Sequence, residues 1–281
     1  MSGDAAGPQA PVPGGIGEAG AAVPGVSPGL VVIKLGGTTI ADQEQVLDQV
    51  AALACTCPVV VVHGGGRRVT EWLERLGIPT RFDEGLRVTD PAALEVIAAV
   101  LRGSINQELV AALRARGCDA VGLSGVDGGI LAGRRVPGKG LVATVAGVRA
   151  GLLRTLLSNG HVPVIAPLAA DEHGAVCNVN GDDVAAGLAR GLGAGRLLLL
   201  TDVDGIRDAA GVRIPLIAAE EAERLIASGV IGGGMIPKVR AAVRGLAGVP
   251  GAQAVIADGA GVDALRRAIE DPGVGTRIVA A

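Results

Sequence analysis

Short apolar runs alternate along the chain with stretches in which apolar residues recur every three or four positions. The runs predict buried strands, and the spaced stretches predict helices with one apolar face. With their closing turns, the predicted strands lie at 30–35, 58–66, 118–124, 161–169, 196–205 and 252–258, and 128–148 predicts a hairpin. The predicted helices lie at 42–54, 67–77, 91–117, 149–160, 182–193, 218–229, 234–248 and 262–270, and residues 78–90 are predicted to be irregular.

This alternation predicts an α/β fold. Helices of about 10 to 15 residues between strands are typical of parallel pairing, with helices covering both faces of the sheet. We therefore expect a three-layer αβα sandwich around a mainly parallel central sheet. Ligands of such sheets bind at the carboxyl ends of the strands, so the residues that close each strand are the first candidates for a functional site.

The first 29 residues differ from the rest of the chain. They are rich in Gly, Ala and Pro, and they lack a basic stretch followed by an apolar one. This composition predicts a disordered arm rather than a secretory signal. An uninterrupted apolar run of about 18 to 20 residues is also missing from the sequence, so we expect no membrane span.

Composition and charge narrow the functional classes. The chain has 281 residues, 49% of them hydrophobic, which is enough for one large α/β domain or two lobes. Its formal net charge of -3 gives no reason to expect binding to nucleic acid or to an anionic membrane. The four scattered cysteines lack a zinc spacing, so we expect reduced thiols in a cytoplasmic protein and no metal held by protein ligands.

Lys34 is the unusual residue of the first strand, since it interrupts an apolar run just before Gly36 and Gly37. Charged side chains are seldom fully buried unless they are paired, so Lys34 lies at an edge or faces an anion. Glycine turns also follow the strands at 64–66 and near Gly122 and Gly125. Backbone N–H groups at such turns can bind anions, although any single glycine turn in a chain with 46 glycines is by default a plain turn. Neither a GxxxxGK[ST] P-loop nor a strand followed by GxGxxG is present.

Several motifs occur together in one order and carry a resemblance to a known family. They are VVIKLGG, VVVVHGGG, EGLRVTD, NVNGDDVAAGLA, LLLLTDVDGI, GGGMIPKVRAA and, near the end, GTRI. Over residues 30–281 this pattern resembles the amino-acid kinase family. Within the family it is most similar to the branch that phosphorylates N-acetyl-L-glutamate in arginine biosynthesis.

The resemblance implies a reaction and a division of labour. The γ-phosphoryl group of ATP would pass to the side-chain carboxylate of N-acetyl-L-glutamate, giving N-acetyl-L-glutamyl 5-phosphate. A carboxylate is already ionised at neutral pH, so catalysis needs alignment and charge neutralisation rather than a general base. Residues 30–192 would form an amino-terminal lobe for the acyl substrate and for dimerisation, and residues 193–281 a carboxyl-terminal lobe for ATP.

The resemblance also implies catalytic residues. Lys34 would contact the transferring phosphoryl group, Lys238 would flank it from the nucleotide side, and Asp182 would hold both lysines. The glycine turns would supply backbone N–H donors to the phosphoryl group; the residues concerned are Gly36, Gly37 and Gly64, with Gly65 and Gly66.

Binding residues follow by the same resemblance. Arg87 would hold the α-carboxylate of the substrate in a bidentate pair, and Asn178, Asn180, Gly65 and Gly66 would also contact the substrate. The nucleotide would lie over Thr201, Asp202, Val203 and Gly205 and over the loop Gly232-Gly233-Gly234-Met235. ATP would bring Mg²⁺, held mostly by phosphate oxygens and water.

Three alternatives stay open. Close relatives phosphorylate aminoadipate or glutamate on an acidic carrier protein, and a basic rim for such a carrier could come from Arg67, Arg68, Arg134, Arg135 and Lys139. A non-catalytic regulatory module of the same fold would be expected to lack the lysines. A dehydrogenase-like nucleotide binder would need a glycine fingerprint that is absent.

The assembly is predicted to be a homodimer, without the ring of arginine-inhibited relatives, since the arm has no amphipathic pattern. The helix at 91–117, capped by Asp90 and bent or weakened at Gly103, would form the dimer seam with an apolar face at Leu94, Ile97 and Leu101.

Smaller expectations concern single side chains: His63, His161 and His173 are structural, Trp72 packs in the core or an interface, Asp182 or Asn180 caps its helix, and Asp183 is a solvated first-turn acid.

Overall fold

The computed structural model describes residues 29–36, 44–260 and 263–280. The predicted arm therefore lies almost entirely outside the described residues, as do Gly37 and the predicted start of the first helix. In chain order the elements are β1 (Val31–Leu35), α1 (Glu44–Ala54), β2 (Val59–His63), α2 (Gly66–Arg75), β3 (Arg81–Asp83), β4 (Leu86–Val88), α3 (Pro91–Ala98), a π-helical segment (Ala99–Ile105), α4 (Asn106–Ala115), β5 (Ala120–Ser124), β6 (Leu131–Arg135), β7 (Val142–Val148), α5 (Gly151–Ser158), β8 (Val162–Ala166), β9 (Leu168–Ala170), β10 (Val176–Val179), α6 (Gly181–Leu192), β11 (Arg196–Thr201), β12 (Leu216–Ala218), α7 (Ala219–Ala227), α8 (Met235–Leu246), β13 (Gln253–Asp258), α9 (Ala264–Glu270) and β14 (Thr276–Val279).

Eight strands form one central sheet in the order β12-β14-β13-β11-β1-β2-β8-β5. The neighbouring strands pair in parallel, apart from β13 and β14, which are antiparallel. The predicted α/β fold with a mainly parallel central sheet is confirmed. Strands from both halves of the chain share this sheet, and β1 lies inside it, paired with β2 on one side and β11 on the other.

Each face of the sheet carries its own apolar core, as the period of two along a strand requires. Val31, Ile33 and Leu35 of β1 pack on one face with α1, α3, α4 and α9. Val32 packs on the opposite face, where α6 and α8 lie. Lys34 is two residues after Val32, so the alternation directs its side chain to the face that α6 covers.

The predicted long helix forms with an irregularity inside it. Asp90 caps it by accepting from Ala93 N, and Pro91 takes its first position. Gly103, where a bend was expected, falls in the π-helical segment. The expected dimer seam is wrong for two of its three residues, because Ile97 and Leu101 are buried inside the subunit itself.

By length and composition alone, the helical stretch Pro91–Ala115 could cross a bilayer. Core helices of globular proteins often pass the same test. Ile97, Leu101, Leu109 and Leu113 of this stretch pack in the core beneath the sheet, which is the environment of a core helix.

Sequence patterns missed several short strands. The 78–90 stretch is not irregular, since β3 and β4 form an antiparallel hairpin there. The predicted hairpin at 128–148 is confirmed as β6 and β7, and it joins β9 and β10 in a small closed sheet. Strands of three or four residues are too short to show an alternating pattern, which is why β10, β12 and β14 were missed. The single strand predicted at 161–169 is divided into β8 and β9.

Candidate functional site

Lys34, Asp182 and Lys238 meet at one point beside the central sheet. Lys34 comes from the end of β1, Asp182 from the first turn of α6 and Lys238 from the first turn of α8. Asp182 Oδ1 lies 2.9 Å from Lys34 Nζ, and Oδ2 lies 3.2 Å from Lys238 Nζ. Asp182 Oδ1 and Lys34 Nζ form an ion pair, whereas Asp182 Oδ2 accepts a hydrogen bond from Lys238 Nζ. One carboxylate thus holds two ammonium groups.

Burial sets the electrostatics of this cluster. Lys34 is 8% exposed and Asp182 only 5%. Burial lowers the pKa of Lys34; Asp182 opposes this shift, and the charge of Lys238 adds to it. For Asp182, burial favours the neutral acid, but the two ammonium groups outweigh it and hold its pKa below the usual range. With both lysines protonated and Asp182 ionised, the cluster carries a net positive charge, which suits an anionic ligand.

The start of α6 fixes Asp182. Asn180 caps this helix, and its side-chain oxygen accepts from Asp182 N at 2.7 Å. The alternative that Asp182 itself caps the helix is therefore wrong. The prediction for Asp183 is also wrong, because this residue is half-buried and pairs with Arg244 on α8. Burial raises the pKa of Asp183, and its ion pair adds a second link between the helices that carry Asp182 and Lys238.

A cleft of about 380 Å³ opens on one side of the cluster. Its lining includes all five predicted substrate residues: Gly65, Gly66, Arg87, Asn178 and Asn180. The sequence analysis missed Phe82 and Thr70 in this cleft. Thr70 lies on α2 and Phe82 lies on β3, and both contact the Arg87 side chain.

Arg87 is buried in this cleft and is held by neutral groups. Its Nη2 donates to Thr70 Oγ1 at 2.7 Å and to Gly66 O at 3.0 Å, and Nη1 donates to Thr80 Oγ1 at 3.2 Å. The Phe82 ring stacks on the guanidinium at 4.6 Å. Burial lowers the pKa of Arg87. Within the described part of the chain, no carboxylate forms an ion pair with Arg87. An anionic group of a ligand could therefore pair with this guanidinium.

The two asparagines differ in how they meet the cleft. Asn178 Nδ2 donates to Thr89 Oγ1 at a long 3.5 Å, so most of its amide remains available to a ligand. Asn180 Oδ1 is committed to the α6 cap. Its amide nitrogen is left for the cleft.

The glycine turns supply fewer donors than the sequence analysis expected. Gly36 N donates to Leu200 O and Gly64 N to Leu35 O, each at 3.0 Å, as extensions of the strand pairing. The prediction that the Gly36 and Gly64 amides serve the phosphoryl group therefore loses support. Among the described residues, no acceptor is paired with the amides of Gly65 and Gly66, which begin α2 and face the cleft.

The third glycine turn has a packing role. A Cβ at Gly125 would lie 2.4 Å from Leu168 O and 2.5 Å from Leu131 Cδ1. A Cβ at Gly122 would lie 2.3 Å from Asn106 Oδ1. These glycines are required for close packing rather than for anion binding.

A second cleft, of about 550 Å³, lies on the carboxyl-terminal side. The predicted nucleotide residues that line it are Asp202, Val203, Gly205, Gly232 and Met235. Gly234 caps α8 next to Met235, and Thr201 Oγ1 donates to Asp202 Oδ1 at 3.0 Å. The sequence analysis missed the other lining residues, which are Asp204, Ile206, Arg207, Val230, Ile231 and Asp258.

Asp202 connects this second cleft to the lysine cluster. The Thr201 hydroxyl and the backbone amide of Asp202 lower the pKa of this carboxyl, and Lys238 and Lys34 lower it further. The lysine cluster thus lies between a cleft with an unpaired guanidinium and a cleft with a glycine-rich rim. This arrangement can hold two anionic ligands with their reacting groups at the lysines.

A sequence model described as the amino acid kinase family matches residues 29–258. The chain belongs to the amino acid kinase family. The resemblance drawn from the motifs is confirmed. The matched range includes Lys34, Asp182 and Lys238.

Curated relatives are similar over most of the chain. A protein of Rubrobacter xylanophilus named acetylglutamate kinase is 47% identical over 88% of this chain and 96% of its own length. A protein of Arabidopsis thaliana named acetylglutamate kinase, chloroplastic, is 42% identical over 88% of this chain and 74% of its own length.

Solved structures share the fold. The protein smu.665 of Streptococcus mutans superimposes with a TM-score of 0.77 at 27% identity, covering 90% of this chain and 99% of its own. A carbamate kinase of Giardia lamblia, solved with AMP-PNP bound, has a TM-score of 0.63 at 19% identity and covers 90% of this chain and 98% of its own. At this lower identity the likeness shows the fold alone.

The lowered pKa of Lys34 generates a prediction for the pH profile. A lysine whose pKa lies below the usual 10.5 loses its charge at a lower pH than an ordinary lysine. If the ammonium is needed, kcat will fall as the pH rises through that pKa. In Lys34→Arg, whose guanidinium stays charged, the absolute rate will drop but the alkaline limb will move to higher pH. Rate profiles of both proteins over the alkaline range measure this shift, and identical alkaline limbs would contradict it.

Proposed function

We propose that this protein transfers the γ-phosphoryl group of ATP to the side-chain carboxylate of N-acetyl-L-glutamate, in arginine biosynthesis. The observation that carries the proposal is the buried carboxylate of Asp182 holding two lysines between two clefts. Curated relatives at 42–47% identity over most of the chain bear the name acetylglutamate kinase, and they support the same reaction. The product would be N-acetyl-L-glutamyl 5-phosphate.

The cluster suits phosphoryl transfer to a carboxylate. Such an acceptor is already ionised, so repulsion between two anions is the obstacle and proton removal is not. Lys34 and Lys238 would neutralise the transferring group, while Asp182 would keep them apart and aimed at it. Preorganised donors of this kind are typically worth about 3 kcal/mol each in the transition state.

The acyl substrate would occupy the cleft that contains Arg87. Its α-carboxylate would supply the anion that this buried guanidinium lacks. Asn178 would contact the substrate through its largely free amide. The unpaired amides of Gly65 and Gly66 would donate to the reacting carboxylate or to the phosphoryl group.

ATP would occupy the second cleft, over Asp202, Val203, Gly205 and Met235. Mg²⁺ would arrive with the nucleotide and keep most of its ligands from phosphate and water. The residues of the second cleft offer oxygen donors of the kind that Mg²⁺ prefers, since Asp202, Asp204 and Asp258 line it. Among these carboxylates, Asp202 has its pKa lowered by both lysines, and it would supply a protein oxygen to the ion.

Pairing of the basic side chains favours a free substrate over a carrier-bound one. Arg67 pairs with Glu71, Arg68 with Glu108, and Arg135 with Asp171. Lys139 is buried and pairs with Asp83 and Glu84. Four of the five residues of the expected rim are thus neutralised within the subunit, and an acidic carrier would meet little unpaired positive charge.

The roles of the two lobes, the assembly and the cellular location of the enzyme also belong to the proposed function. Residues 30–192 would bind the acyl substrate and residues 193–281 would bind ATP, with both parts meeting at the lysine cluster. A cytoplasmic homodimer remains our prediction, and the free state of all four cysteines fits a reducing compartment.

Hydroxylamine trapping tests the reaction, because hydroxylamine converts acyl phosphates to hydroxamates, which are measured as coloured complexes with ferric iron. With Mg-ATP, we expect hydroxamate from N-acetyl-L-glutamate and none above background from L-glutamate or L-2-aminoadipate. Reactions without ATP are the control. A folded protein that binds ATP yet forms no hydroxamate from any free acid would contradict the proposal and favour a carrier-bound substrate or a regulatory module.

Substitution of Arg87 tests the assignment of the substrate cleft. Arg87→Lys keeps a positive charge but loses the bidentate fork, so KM for N-acetyl-L-glutamate should rise about 10- to 100-fold while KM for ATP changes little. Steady-state kinetics with each substrate varied in turn gives both values. An unchanged KM for N-acetyl-L-glutamate would remove Arg87 from the substrate site.

A further inference from the structure

His63 is a buried titratable residue that the proposed mechanism does not use. It closes β2, immediately before the Gly64–Gly66 turn, and it is 2% exposed. Burial lowers the pKa of His63 to about 4, so the ring is neutral throughout the physiological range. Each ring nitrogen has one neighbour within hydrogen-bond distance: Nδ1 lies 2.8 Å from Gly64 O, and Nε2 lies 3.2 Å from Asn106 Nδ2.

Asn106 determines which ring nitrogen carries the proton. The orientation of its amide is fixed on both sides, since Nδ2 donates to Val164 O at 2.9 Å and Oδ1 accepts from Arg102 Nη1 at 3.3 Å. The group facing His63 Nε2 is therefore a donor, and Nε2 must accept. In a neutral imidazole the other nitrogen is then protonated, so His63 Nδ1–H donates to the Gly64 carbonyl.

This hydrogen bond is one of a series that fixes every carbonyl of the glycine turn. Gly64 O accepts from His63, Gly65 O accepts from Val69 N at 2.9 Å, and Gly66 O accepts from Thr70 and Arg87. A peptide group is planar, so fixing the Gly64 carbonyl also fixes the direction of the Gly65 N–H. Among the described residues, no acceptor is paired with the Gly65 amide, which lies at the cleft.

The helix that supplies Asn106 also packs directly on the turn. A Cβ at Gly65 would lie 2.4 Å from Ile105 Cδ1 and 2.8 Å from Leu101 Cδ2, both in the π-helical segment. Asn106 is fully buried and follows that segment immediately. Its place against β5 requires Gly122, where a Cβ would overlap its side-chain oxygen. The segment and Asn106 together form a rigid wall behind the turn.

We propose that His63 is a positioning residue for phosphoryl transfer: its Nδ1–H holds the Gly64 carbonyl so that the Gly65 amide points at the reacting group, and Asn106 fixes the required tautomer. His63 touches no substrate and exchanges no proton. The inference rests on the proposed function, because the amide it orients matters only if an anion reacts in that cleft.

A matched pair of substitutions separates the two hydrogen bonds of the ring. The amide nitrogen of an asparagine side chain can take the place of Nδ1, and the amide oxygen of a glutamine side chain can take the place of Nε2. His63→Asn therefore keeps the hydrogen bond to Gly64, and His63→Gln keeps the one to Asn106. We expect His63→Gln to lower kcat about 30- to 100-fold, below the loss typical of removing one oxyanion donor, with KM for ATP changed less than about threefold. His63→Asn should retain kcat within about tenfold of the original protein.

His161→Gln is the control, because this half-buried imidazole pairs with Asp119 away from both clefts. It should leave kcat unchanged. Activity of the unsubstituted protein is measured first, so that inactivity there counts against the proposed function and not against His63. With an active parent protein, equal losses in the two His63 variants, or losses that follow their thermal unfolding midpoints, would overturn the inference.

A second measurement needs no substitution of His63. A ¹⁵N–¹H NMR spectrum of the imidazole region reports the tautomer of each histidine, and because the chain has three histidines, loss of one signal in His161→Gln and of another in His173→Gln assigns the remaining signal to His63. We expect a neutral His63 protonated at Nδ1 between pH 6 and pH 8. A ring protonated at Nε2, or a charged ring in this range, would overturn the inference even if the variants failed to fold.

Discussion

The ion pairs of Asp182 with Lys34 and Lys238 are the constraint on which the rest of the site depends. The Lys34 ammonium is buried and the Lys238 ammonium is half-buried; the two repel each other, and burial disfavours the charge of Lys34. A carboxylate between them makes their proximity tolerable and leaves one positive charge uncompensated. That excess charge is useful only if an anion reacts beside it, which links the stability of the cluster to phosphoryl transfer.

The fold supplies this constraint from three separate elements. β1 lies inside the sheet and directs Lys34 to the face that α6 covers. The Asn180 cap sets the first turn of α6 and hence Asp182. α8 packs on α6, where Gly245 allows close approach because a Cβ there would lie 3.3 Å from Ala186 Cα. The two clefts then lie on either side of the point where these elements meet.

Much of the fold and part of the site could be predicted from sequence. The buried strands were long enough to show apolar runs, and the ordered motifs identified the family. The partners of individual groups could not be predicted, because they depend on tertiary contacts. No pattern shows that the Gly36 and Gly64 amides extend the strand pairing, or that Arg244 removes Asp183 from solvent. His63 was expected to be structural, but its contact with Asn106 joins residues 43 positions apart and no local pattern shows it.

The sequence could not show that the Arg87 guanidinium lacks an anionic partner, or that the Gly65 and Gly66 amides lack an acceptor, among the described residues. Arg87 reads as an ordinary surface arginine until its burial among neutral partners is known. The Gly65 and Gly66 amides are two among many glycine amides until the acceptors of their neighbours are assigned. In both cases the functional signal is a missing partner inside the protein, and only the three-dimensional arrangement defines it.

The most direct test of the account is the rate of Asp182→Asn with N-acetyl-L-glutamate and Mg-ATP. The substitution keeps the shape of the side chain and removes the charge that aligns the lysines. Asp183→Asn is the matched control, one residue along the same helix and paired with Arg244 instead. The account predicts that Asp182→Asn lowers kcat at least about 100-fold, with a much smaller change in KM for ATP, while Asp183→Asn stays within a few-fold. A folded Asp182→Asn protein with nearly unchanged kcat would contradict it.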